Sequence, residues 1–73
     1  MAKARYVVRE AGTPGRLGKI YKTYPYDLSS LLEAMDDARF RSFAGSAHVV
    51  VRVNGPERIV FRRYEQGREV AVS

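Results

Sequence analysis

Helical periodicity appears only once in this chain. Leu28, Leu31, Leu32, Met35 and Ala38 recur at i, i+3, i+4 and i+7, about 100° per residue, and Ser29, Glu33, Asp36 and Asp37 fall on the opposite side. Every other periodic stretch alternates with a period of two. Ala4–Glu10 sets Arg5, Val7 and Arg9 against Tyr6, Val8 and Glu10. Lys19–Tyr24 is rich in β-branched and aromatic residues and stops at Pro25, which has no amide hydrogen for a ladder. Ala47–Val53 sets Val49, Val51 and Val53 against His48, Val50 and Arg52. Ile59–Tyr64 follows the turn-forming Asn54-Gly55-Pro56-Glu57, and Gln66-Gly67 can turn the chain into a short last strand, Glu69–Val72.

One helix among hairpin-linked strands predicts an α+β fold: an antiparallel sheet of four to five strands, ordered β-β-α-β-β with room for a fifth strand, and one helix packed on one face. A chain of 73 residues supports one hydrophobic core, so residues 1–73 read as a single domain. Asp27 or Ser30 can cap the helix, Ser30 with Glu33 fitting a capping box. The apolar stripe fails at Arg39 and Phe40, so the helix should end or distort between Ala38 and Gly45. Its face of Leu28, Leu31, Leu32 and Met35 is expected to pack on Val49, Val51 and Val53. The Ile59–Tyr64 strand is apolar on both sides, which leaves its buried face open.

Charge is unevenly spread. Residues 1–26 carry six bases and one acid, residues 27–37 four acids and no base, and residues 38–73 seven bases and three acids, for +5 overall. Ten of the thirteen bases are arginine, whose planar fork suits phosphate and carboxylate. The absence of cysteine excludes disulfides, thiolate catalysis and thiolate-ligated metals. The N-terminus lacks the apolar run of a signal peptide and no stretch approaches membrane-spanning length, so the chain reads as cytoplasmic and not membrane-bound.

Chemistry-bearing motifs are scarce. Gly12-Thr13-Pro14-Gly15-Arg16-Leu17-Gly18-Lys19 departs from a phosphate-binding P-loop in its glycine spacing, in having Ile20 where a hydroxyl is needed, and in leading to a strand. It reads as a mobile hairpin loop, or as a basic finger built on Arg16 and Lys19. The single histidine, His48, reads as solvated. Asp36 and Asp37, adjacent on a helix, point about 100° apart and cannot share a proton. No histidine is placed to activate a serine. The expectation is a non-enzyme with no metal and no cofactor.

What remains is arginine and lysine interleaved with aromatic residues on strands: Arg5-Tyr6, Lys19 to Tyr24, Arg52, and Phe61-Arg62-Arg63-Tyr64. Sheets of this kind can bind nucleic acid, cations on phosphates and rings stacked on bases. The acidic outer side of the helix argues against a recognition helix in a major groove. Arg5, Arg9, Arg52 and either Arg62 or Arg63 are expected to converge on the uncovered sheet face as the partner-binding site. Arg16, Lys19 and Lys22 would extend the patch from the neighbouring hairpin.

In its small size, lack of cysteine, high arginine content and stand-alone compactness, the chain resembles the small regulators that bacteriophages make to bind and redirect host RNA polymerase. That resemblance lies in the character of the whole chain, so no polymerase-contacting residue is carried over from it. It implies a non-catalytic protein that binds polymerase in the host bacterial cytoplasm and alters transcription initiation or termination. A sheet-based DNA- or RNA-binding module is the alternative, and an antitoxin-like interaction protein a third reading.

Overall fold

The computed structural model describes residues 3–13 and 16–72. Six elements follow in order: β1 (Arg5–Glu10), β2 (Ile20–Pro25), α1 (Leu28–Ser42), β3 (His48–Asn54), β4 (Glu57–Glu65) and β5 (Arg68–Val70). All strand pairs are antiparallel, in the spatial order β2-β1-β3-β4-β5. The chain is therefore an α+β fold with an open five-stranded sheet. After the β1–β2 hairpin, α1 carries the chain across to the free side of β1, where β3 pairs with it.

Asp27 caps the helix. Its carboxylate accepts from the Ser30 backbone N–H at 2.8 Å and from the Ser29 hydroxyl at 3.0 Å, which holds the carboxyl below its ordinary range. The helix thus starts before Ser30 could cap it, and it runs through Arg39 and Phe40 to Ser42. Phe40 is left exposed, and Arg39 reaches sideways so that its Nε donates to the Gly67 carbonyl at 2.9 Å.

The face that α1 buries differs from the expected one. Ala34 and Ala38 are fully buried, Leu31 and Met35 partly so, whereas Leu28 and Leu32 are 73% and 57% exposed. Beneath them lie Tyr6, Val8, Tyr24, Val50 and Tyr64. Val49, Val51 and Val53 point the other way and cluster with Val7, Val60, Ala11 and Leu17. Volume explains the choice. Three tyrosines rise from β1, β2 and β4, and a helix can settle on them only where its own side chains are small. Two alanines four residues apart supply that stripe; leucines at those positions would overpack it.

A bulge at Phe61 decides the faces of β4. Val60 pairs with Val51 and Arg62 with Val50, so Phe61 is the extra residue. Arg58, Val60 and Arg63 then stand on the side away from the helix. Ile59, Arg62 and Tyr64 stand on the helix side with Phe61, whose ring lies 6.1 Å from that of Tyr6.

The helix is latched to the β4–β5 turn. Gln66 and Gly67 both have positive φ, 51° and 77°. The Gly67 N–H donates to the Ser42 hydroxyl at 2.8 Å, the Gly67 carbonyl accepts from Arg39, and the Phe43 ring covers the Cα of Gly67. The loop between β1 and β2 is also tied down at its ends. Gly18 N–H donates to Glu10 O, Ala11 N–H to Ala47 O, and the Arg9 guanidinium clasps Gly18 O at 2.8 and 3.1 Å. Pro14 and Gly15, at the tip, lie outside the described residues.

Candidate functional site: an arginine-cornered sheet face

Residues paired across antiparallel strands share a face. On the face away from α1, one row reads Pro25, Arg5, Val53, Arg58, the next Thr23, Val7, Val51, Val60, and a third Ile20, Arg9, Val49, Arg63, Val70. Arg5 and Arg58 flank Val53, and Arg9 and Arg63 flank Val49. Each pair is two strands apart, about 10 Å, and the two rows are four residues apart along β1, about 13 Å. Four guanidinium groups thus mark the corners of a rectangle floored by valines. Arg68, opposite Glu65, adds a fifth cation at the β5 edge. Among the described strand residues, Glu65 is the only carboxylate that the register places on this face. It is paired with Arg63 at 2.8 Å.

The valine floor is almost fully buried although no helix covers it. Leu17 of the β1–β2 loop packs on one end of it. Elsewhere the cover comes from the side chains in the same rows, arginines lying along apolar surface on their methylene stems and keeping their heads in water. At the loop end a cleft of about 440 Å³ opens between Arg16 and Arg63, with Val49 and Val60 among its apolar lining.

Of the eight residues assigned to partner binding from sequence, the structure brings Arg5, Arg9, Arg16 and Arg63 to this face. Arg5 and Arg16 are exposed and make no salt bridge among the described residues. Arg9 is committed to the loop carbonyl. Arg52 and Arg62 stand on the helix side instead. The Arg52 guanidinium lies 3.4 Å from Glu57, and that of Arg62 lies 3.6 Å from Glu69 and over the Phe61 ring. Lys22 also belongs to the helix side, its ammonium 4.8 Å from the Tyr24 ring centre, and the Lys19 ammonium sits over Tyr21 at 5.3 Å. Arg58 and Arg68 were missed. For Arg58 a signal existed: it continues the period-two alternation of Val60 one step back, between the turn at residues 54–57 and the strand read from Ile59.

The aromatic residues do not share the basic face. Tyr6, Tyr24 and Tyr64 pack beneath the helix, Tyr26 stacks on Tyr6 at 5.1 Å, Phe61 adjoins Tyr6, and Tyr21 lies 5.3 Å from His48. Cations and rings adjacent in sequence were expected to act together. On a strand, neighbours point to opposite faces, and the interleaving separates them.

His48 is buried, not solvated. Its Nδ1 lies 2.8 Å from the Ser46 carbonyl, which can only accept, so Nδ1 carries the proton. Asp37 also differs from a free surface acid: it accepts from the Tyr24 hydroxyl at 2.9 Å and from Arg41 Nε at 2.9 Å. Burial and that bond to a carboxylate push the Tyr24 phenol up to about 12. Because the folded value exceeds the unfolded one, Tyr24 contributes its stabilisation in full below pH of about 10, and the contribution is lost as pH rises towards 12. Phenolate absorbance should therefore show a tyrosine titrating near 12, and Tyr24→Phe should remove that step. A titration unchanged by Tyr24→Phe would contradict the assignment.

Among the described residues no three histidine, aspartate or glutamate side chains cluster as metal ligands, and no helix is long and apolar enough to cross a membrane. No protein-family model, characterised protein or solved structure matches the chain.

Proposed function

We propose that this chain is a non-enzymatic binding protein that docks its arginine-cornered sheet face onto an acidic protein surface. Bacterial RNA polymerase, the target implied by the resemblance to phage regulators, is the first partner to test. The observation that carries this reading is the clustering of charge: five strand arginines against one glutamate on the uncovered face, with Glu33, Asp36 and Asp37 on the helix that covers the other.

Two features favour a protein surface over nucleic acid. Among the described residues the basic face offers no ring to stack on splayed bases, which sequence-tolerant single-strand binding by sheets relies on. Five strands at about 4.8 Å spacing span roughly 19 Å, too broad to enter a major groove about 12 Å wide and read base edges. Guanidinium forks spaced across a broad face suit carboxylates spread over a partner of similar flatness.

The immobilised protein should capture polymerase from bacterial lysate equally well before and after nuclease treatment, and purified polymerase should bind with an affinity that falls steeply from about 50 to 200 mM salt. Capture abolished by nuclease would replace this reading with a phosphate-backbone one. Affinity indifferent to salt would remove the arginine face from either.

A further inference from the structure

The helix side of the molecule carries a second surface, unrelated to the basic face. Leu28 and Leu32, one turn apart, stand exposed on the flank of α1. Tyr26, half of it exposed, stacks on Tyr6, and Phe61 and the partly exposed Ile59 continue the strip along β4. Scattered exposed leucines need no explanation, but a continuous apolar strip with an ordered charge pattern marks an interaction surface.

The charge pattern is split. On the helix, Glu33 and Asp36 flank Leu32 and are exposed. On the sheet, Arg52 and Arg62 flank Ile59 and Phe61. The Nε atoms of both arginines are buried and donate to no acceptor among the described residues, and their ion pairs, at 3.4 and 3.6 Å, are long. Both side chains are nonetheless about one third exposed, so their outer N–H groups stay open to a second carboxylate.

We propose that this strip is the two-fold interface of a homodimer. The helix half, apolar and acidic, complements the β4 half, apolar and carrying Arg52 and Arg62, whose long ion pairs to Glu57 and Glu69 leave them free to meet further carboxylates, and both lie on the same surface. That is the requirement for an isologous contact, in which the helix of one protomer meets β4 of its partner and the reverse contact forms at the same time. Leu28 and Leu32 pack on Ile59 and Phe61, and Glu33 and Asp36 approach Arg52 and Arg62. An interface of about 800 Å² per protomer would cover roughly one sixth of the 5067 Å² surface. The arginine-cornered faces remain outside it, turned away from the partner protomer.

Sedimentation velocity over a range of protein concentrations tests this. The wild-type chain should run as a dimer at high concentration and dissociate on dilution, and Leu32→Glu should run as a monomer throughout while keeping its circular dichroism spectrum. Asp36→Arg and Arg62→Glu should each weaken the dimer at least about tenfold, and the two together should recover most of the loss. A wild-type chain that is monomeric at every concentration overturns the proposal and leaves the strip to a different protein. So does a Leu32→Glu variant that is folded and dimeric.

Discussion

Replacing Arg5, Arg58 and Arg63 together by glutamate should abolish binding of the acidic partner, by at least about a hundredfold, and leave the fold in place. The three positions are three corners of one rectangle, and the triple change carries the net charge from +5 to −1. Losing three charge-assisted contacts at about 1 kcal/mol each already gives that factor, and like charges facing the partner's carboxylates add to it. The fold should survive: Arg5 makes no pairing among the described residues, Arg58 reaches only a turn carbonyl at 3.4 Å, and the Arg63–Glu65 pair is exposed and of small worth. Arg9 is left out deliberately, because it holds the loop. A control variant, Phe40→Ser, exposed on the helix and outside the strip of Leu28, Leu32, Ile59 and Phe61, should change partner affinity little. A folded triple variant that binds with wild-type affinity would eliminate the arginine face as the site.

A large stability effect from a single methyl group is expected at Gly67. Alanine there must adopt φ of 77°, and its Cβ would overlap the edge of the Phe43 ring. Gly55 supplies the control, with φ of 60° and nothing near the position of an added Cβ. Gly55→Ala should cost the left-handed backbone term alone, about 1–2 kcal/mol. Gly67→Ala should cost roughly 2–4 kcal/mol, since Phe43 must move and the hydrogen bonds joining Gly67 to Ser42 and Arg39 loosen. For a chain this small the total is about 4–11 kcal/mol, so the loss is a large share. Denaturant unfolding measures both. Phe43→Ala in the Gly67→Ala background should recover part of the difference, and equal costs at the two glycines would mean that the latch contributes nothing.

Element order was legible because each element carries its period in plain form: the strands alternate, and the helix stripe does not survive past Ala38. The faces were less legible, for identifiable reasons. Both sides of β3 are rich in valine, so counting apolar residues selected Val49, Val51 and Val53 for the helix. The deciding factor was the match between three tyrosines and the alanine stripe, which depends on residues brought together from four elements. In β4 the bulge at Phe61 shifts the alternation midway and sends Arg62 and Arg63 to opposite sides. Arg5 and Arg63 were identifiable as members of the candidate site, whereas Arg52 was assigned to the wrong face by the same error that misplaced the valines. The capture of Arg9 by Gly18 and the burial of His48 depend on contacts across the fold that no local pattern encodes.

The pairing of β1 with β3 governs how this molecule assembles in time. Its partners lie between 38 and 48 residues apart, from Glu10 with His48 to Arg5 with Val53, whereas β3, β4 and β5 join through tight turns. Closing so long a loop costs about 3 kcal/mol of chain entropy before any contact offsets it. The helix and the β3–β4–β5 meander should therefore organise early and β1 dock late, making its docking the slow step and placing folding in the slower range for mixed α/β chains. Arg5 and Arg9 ride on that last strand. Two corners of the rectangle are missing until it arrives, so a nascent or partly folded chain presents no complete docking face, and competence to bind switches on with the final event of folding.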